Sequence, residues 1–203
     1  MSVHSLWPTN IQIEDNFLPD SEFLKIKEFM FAEFKRQRKF PLINFDQDRL
    51  PPEVDTFKRY LFSVFELYCQ YGNENSSQFS LGNFQVHQVT KYNEAISHEH
   101  IMHTHHDQAE GGYFAITYYL NVADPSEVEY LGGELAIYKN ATSADYPDGI
   151  VYVKPKENRL VIFPAFLNHV VRPYFSDNPR MTIAILMNKS GSYNQNKRIR
   201  ILD

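Results

Sequence analysis

The sequence predicts a mainly β protein, a sandwich or barrel, with two flanking helices covering one face of a sheet. Two observations carry this. Up to about residue 72 the apolar residues recur at helical spacing, and from about residue 79 they gather in short runs rich in Val, Ile, Tyr and Phe with turn residues between. Size and composition fit such a fold. A chain of 203 residues, 43% hydrophobic and 22% charged, can bury a sizeable core, and sixteen Phe and thirteen Tyr make that core aromatic.

In the first region Phe23, Ile26, Met30 and Phe34 step by three and four residues behind the capping candidates Asp20 and Ser21. Lys35, Arg36, Arg38 and Lys39 follow, a basic run that suits a helix C-terminus. Val54, Phe57, Leu61, Val64, Phe65 and Tyr68 form a second apolar stripe, opened by Pro51-Pro52 and stopped at Gly72. Strands are expected at 79–92, 113–122, 134–138, 150–153, 159–163, 170–175 and 181–187, with an edge-like alternation in Lys197–Leu202. Turn signals at 111–112, 124–125, 132–133, 147–149 and 177–179 separate the main runs. One domain over 1–203 is expected, helical over about 18–72 and β over about 79–188.

Charge and cysteine content exclude several classes. The formal net charge of −5 argues against a nucleic-acid partner. The single cysteine, Cys69, rules out an internal disulfide and a thiolate metal cage. No apolar run approaches the roughly 18 residues of a membrane span, and the N-terminus lacks a signal-peptide pattern. These features predict a soluble cytoplasmic protein, with no membrane partner, as a monomer or weak homodimer.

Chemistry concentrates in the histidines. Of eight, five fall together: His98, His100, His103, His105 and His106, with Asp107 next. On an extended chain residues two apart share a side, so His105 and Asp107 present an imidazole and a carboxylate together while His106 faces away. The one histidine downstream, His169, follows the apolar run Arg159–Pro164 and a short loop, which places it at the mouth of a sandwich or barrel. Two imidazoles and a carboxylate occupy one face of an octahedral metal and leave three positions open, the donor set of non-haem Fe(II) oxygenases. The bland alternatives are a solvated His-rich loop and a structural His169. Arg180 opens the apolar run Arg180–Met187, where a buried guanidinium requires a partner. A ligand carboxylate gripped by two N–H groups would serve, as would an acid such as Asp177.

His105-x-Asp107, His169 and Arg180 together resemble the Fe(II)/2-oxoglutarate-dependent dioxygenase superfamily, in particular its prolyl 4-hydroxylase-like branch. Gln88-Val-Thr-Lys-Tyr92, Ile116-Thr-Tyr-Tyr119-Leu-Asn, Gly132-Gly133-Glu134-Leu and the opening Ile13-Glu-Asp-Asn-Phe-Leu-Pro-Asp-Ser-Glu are similar to segments of that branch. The resemblance implies a double-stranded β-helix, or jelly roll, with the two N-terminal helices packed on one sheet. It implies Fe(II) on His105, Asp107 and His169, the distal carboxylate of 2-oxoglutarate on Tyr119 and Arg180, and Tyr92 near the metal-bound end of that co-substrate. Dioxygen is then consumed, succinate and carbon dioxide leave, and an unactivated carbon is hydroxylated. A prolyl residue of a protein or peptide is the expected target, a free amino acid or other small metabolite the alternative, and ascorbate a candidate reductant.

Two rival readings use the same residues. His103-Thr-His-His-Asp-Gln108 falls one residue short of the His-x-His-x-Asp-His signature of metallo-β-lactamase-like zinc hydrolases. Gln108 and the lone downstream histidine weigh against that. A non-catalytic metal-binding jelly roll is the other, although a bare metal shell has no use for a carboxylate clamp. His98, His100 and His106 read as solvated loop residues, and His103 as a neighbour behind the metal rather than a ligand.

Overall fold

The computed structural model describes residues 2–6, 9–37, 42–45, 51–90, 112–127, 131–138 and 149–190. Helix α1 spans Asp20–Gln37 and α2 spans Pro52–Tyr71. The strands are β1 (Ser2–Leu6), β2 (Thr9–Asp15), β3 (Leu42–Asn44), β4 (Phe79–Val89), β5 (Phe114–Asn121), β6 (Leu135–Tyr138), β7 (Ile150–Val153), β8 (Arg159–Pro164), β9 (His169–Val171) and β10 (Arg180–Lys189). They form a seven-stranded sheet in the order β1-β2-β8-β5-β10-β4-β3 and a three-stranded sheet in the order β7-β6-β9. All the strand pairs are antiparallel. The two sheets are not joined into a closed barrel among the described residues. Nor is any helix there long and apolar enough to cross a membrane.

Alternation along the central strands builds two cores from one sheet. Phe114, Ile116, Tyr118 and Leu120 of β5, with Leu160 and Ile162 of β8 and Ile183 and Ile185 of β10, pack under the helices. There they meet Phe23, Ile26, Met30 and Phe34 of α1 and Val54, Phe57, Leu61 and Phe65 of α2, the stripes expected from helical spacing. Edge-to-face rings knit this layer, among them Phe17 against Phe57 and Tyr118. The opposite face of the same strands offers Ala115, Tyr119, Val161, Phe163 and Leu186. These pack on Leu135, Ile137 and Val153 of the smaller sheet to form an inner core.

Most expected elements appear within a residue or two, and the differences have local causes. The expected strand over 170–175 forms only as His169–Val171, because Pro173 has no N–H for the ladder and Tyr174 keeps a single bridge to Gly132. Glu134 lies ahead of β6 rather than in it, since Gly132 and Gly133 both adopt positive φ (68° and 75°). Strands β1, β2 and β3 had no counterpart among the expected elements. The Lys197–Leu202 alternation lies outside the described residues.

Asn158 ties the chain entry to the sheet. Its φ of 58° places it in the left-handed region, where Asn is tolerated. Its buried amide accepts from the Leu18 N–H (2.9 Å) and the Tyr118 hydroxyl (2.8 Å) and donates to the Leu18 carbonyl (2.8 Å). Asn158→Ala therefore strands buried polar groups in a conformation that alanine dislikes. We expect a loss of about 3 kcal/mol, with Asn158→Gly recovering about 1 kcal/mol, read by urea denaturation.

Asp15, at the end of β2, takes Arg159 Nε at 2.6 Å and Lys156 Nζ at 3.0 Å. Arg159 above all, with Lys156, holds its carboxyl down at about 2, below the ordinary 3.8. The stability this confers is complete above the unfolded value and fades as pH falls toward 2. The carboxylate is partly exposed, so solvent screening reduces the contribution to about 1 kcal/mol. Asp15→Asn should lose that amount at pH 7, and the gap from the parent should close between about pH 4 and pH 2 in denaturant titrations.

Candidate functional site

The inner side holds an imidazole and a guanidinium, groups that the helical core lacks. His169 opens β9 opposite Ile137, and its side chain is buried. The ring stands edge-on to Phe163, centroids 4.8 Å apart. Its Nδ1 lies 3.0 Å from the Leu167 carbonyl oxygen, an atom that only accepts. The proton therefore sits on Nδ1 and the lone pair on Nε2, the tautomer that lets an imidazole bind a metal through Nε2. Burial lowers the ring's pKa below the ordinary histidine value, with the Leu167 carbonyl opposing, and so favours the neutral form.

Arg180 is the first residue of β10, buried on the same inner side. Its guanidinium reaches the chain just before β6, where Nη1 donates to the Gly133 carbonyl at 2.9 Å, and it lies 5.8 Å from the centre of the Tyr174 ring. Tyr119, on β5, has its phenol enclosed in the inner core. Burial pushes its pKa up to about 12 against the pull of the Arg180 charge, so it remains a neutral hydrogen-bond donor. A guanidinium and a phenol in one apolar interior are the donors a carboxylate takes, and a dry surrounding strengthens both bonds.

Of the six residues singled out from the sequence, the fold brings His169, Arg180 and Tyr119 to the inner side. His105, Asp107 and Tyr92 lie outside the described residues, as do His98, His100, His103 and His106. Among the described residues no three His, Cys, Asp or Glu side chains gather as a metal cluster. Sequence reasoning passed over His87 and Thr182, which face each other across β4 and β10 on the inner side. The alternation Gln85-Val-His87 was the signal available for the first. It also passed over Tyr174, whose single aromatic letter after a proline carries no pattern.

Comparison with known proteins bears on the fold and the family. A viral collagen prolyl hydroxylase from Paramecium Bursaria Chlorella virus-1 shares the fold at 12% identity and a TM-score of 0.56, with 89% of each chain covered. A Pseudomonas putida prolyl-4-hydroxylase does so at 17% and 0.56, over 92% of this chain and 91% of that one. A Trichoplax adhaerens prolyl hydroxylase, in complex with a hypoxia inducible factor oxygen degradation domain peptide fragment, does so at 18% and 0.54, over 88% and 83%. At such identities the likeness is one of fold, and it makes the two sheets those of a jelly roll. No curated protein sequence matches. The model of the 2OG-Fe(II) oxygenase superfamily matches residues 85–188, half of the chain and most of the β core. Strands β5 to β9, nearly all of β10, the buried His169 with its Nε2 lone pair and the buried Arg180 fall within that match, and the chain belongs to the 2OG-Fe(II) oxygenase superfamily.

Proposed function

We propose that the protein hydroxylates prolyl residues of a protein or peptide, with His105, Asp107 and His169 holding Fe(II) and with Arg180, Tyr119 and Tyr92 around 2-oxoglutarate. The observation that carries this is the inner core itself: an enclosed guanidinium and a neutral phenol face the same interior as an imidazole whose Nδ1 is committed to a carbonyl. That donor set fits a divalent metal and a dicarboxylate. When bound, Fe(II) and 2-oxoglutarate supply the oxidising chemistry, in which dioxygen is consumed, succinate and carbon dioxide form, and one oxygen atom enters a C–H bond.

The chain's own residues position and enclose. Arg180 and Tyr119 would neutralise and orient the far carboxylate of 2-oxoglutarate. The Leu167 carbonyl sets the His169 ring. Leu135, Val161, Phe163 and Leu186 keep water from that interior. Ascorbate would serve as the reductant that keeps the iron ferrous.

The prolyl assignment is supported by the neighbouring folds, and an exposed aromatic suits a peptide. Phe166, in the turn leading to His169, leaves its ring half-exposed. The oxygenase family match argues against the zinc-hydrolase reading and the non-catalytic one. The test is to incubate iron-loaded protein with 2-oxoglutarate and a panel of proline-containing peptides, free proline and other amino acids. Succinate formation coupled to a one-oxygen mass gain on a prolyl peptide is expected. Coupling only to a free amino acid would overturn the peptide assignment, and zinc-dependent hydrolysis without succinate would overturn the oxygenase site.

A further inference from the structure

We propose that Tyr174 is a positioning residue for the co-substrate clamp, holding Arg180 with its ring and fixing the turn that delivers Arg180 with its hydroxyl. This rests on the reading of Arg180 as the group that binds the far carboxylate of 2-oxoglutarate. Arginine carries several rotatable bonds, and a clamp at the very start of a strand has a ladder on one side only. Something must preset it.

Tyr174 is fully buried, and its ring lies 5.8 Å from the guanidinium carbon, within cation–π range. Its hydroxyl accepts from the Ala123 N–H at 3.0 Å and donates to the Asn178 carbonyl at 2.9 Å. Ala123 lies two residues past the end of β5, the strand that carries Tyr119. Asn178 lies two residues ahead of Arg180. One phenol thus bridges the strand bearing one proposed carboxylate donor to the turn bearing the other. The Asn121 amide reinforces the bridge by donating to Asn178 Oδ1 and to the Pro179 carbonyl.

Gly133 completes the cradle from the other side. Its carbonyl takes Arg180 Nη1, and its φ of 75° suits glycine. A Cβ there would lie 2.9 Å from the Tyr174 ring and 3.2 Å from Nη1, so a side chain would press on both partners. Ring, guanidinium and carbonyl therefore close together only because residue 133 has no side chain.

A merely structural tyrosine would lower the melting temperature and leave the affinity of the folded protein for 2-oxoglutarate alone. Calorimetric titration of 2-oxoglutarate into the Mn(II)-loaded protein without oxygen separates the two, alongside Tm and steady-state kinetics. Tyr174→Phe keeps the ring and cuts the hydroxyl bridge; we expect affinity to fall about threefold. Tyr174→Leu removes the ring as well and should cost about tenfold, with the KM for the hydroxylated substrate unchanged. Because Tyr174 acts through Arg180, Tyr174→Leu in an Arg180→Ala background should add nothing. Unchanged affinity in both Tyr174 variants, with Arg180→Ala weakened, overturns this inference and spares the clamp. Unchanged affinity in Arg180→Ala overturns the clamp itself. If Tyr174→Leu does not fold, the Tyr174→Phe titration decides alone.

Discussion

His169→Ala should abolish 2-oxoglutarate turnover, with succinate formation down more than about 100-fold and Mn(II) or Fe(II) affinity down by a similar factor. The reason is the tautomer. Leu167 holds the Nδ1 proton, so the ring offers one lone pair, and alanine removes it outright. The structural cost is small by comparison. The variant leaves one carbonyl without its donor and opens a gap beside Phe163, about 1–2 kcal/mol in all, so the protein should remain folded. Circular dichroism establishes the fold, Mn(II) electron paramagnetic resonance measures metal affinity, and succinate release measures turnover. Metal affinity equal to the parent's would remove His169 from the site.

The second large effect belongs to Arg180. Arg180→Ala should raise the 2-oxoglutarate concentration needed for half-maximal rate at least tenfold, because the far carboxylate would enter an apolar interior unpaired, a penalty of roughly 2–5 kcal/mol. Tyr119, held neutral by burial, would give one hydrogen bond but no charge, and so would replace only part of that attraction. Arg180→Lys keeps the charge and loses the planar fork, and should fall between the two. Initial rates against 2-oxoglutarate concentration decide the matter. A normal requirement in Arg180→Ala would show that the guanidinium serves the fold alone, through Gly133 and Tyr174.

The two helices were legible because punctuation and period coincide. Pro52 opens α2, Gly72 closes it, and between them the apolar residues keep one face. The seven expected β runs were legible because β-branched and aromatic residues cluster between turn residues. Strand β2 escaped because its alternation holds only two apolar residues, Ile11 and Ile13, and because the segment from Ile13 to Glu22 reads as the entry into the first helix; β1 has its apolar residues, Val3 and Leu6, three apart and so keeps no period of two. Three residues, Leu42–Asn44, carry no period at all. At the site, chemistry-bearing letters stood out: a histidine after a loop and an arginine opening an apolar strand. What sequence could not reveal is what holds them. The Nδ1 contact of His169 and the phenol bridge of Tyr174 depend on backbone carbonyl and N–H groups, which almost any residue supplies.

The back-to-back use of strand β5 has a corollary. Tyr118 and Tyr119 are adjacent letters of similar chemistry, yet one is locked beneath the helices by Asn158 and the other lines the interior proposed to receive 2-oxoglutarate. Substitutions beneath the helices should therefore shift melting temperature while leaving the side chains of the inner core in place. A one-residue slip of that strand would undo both placements at once.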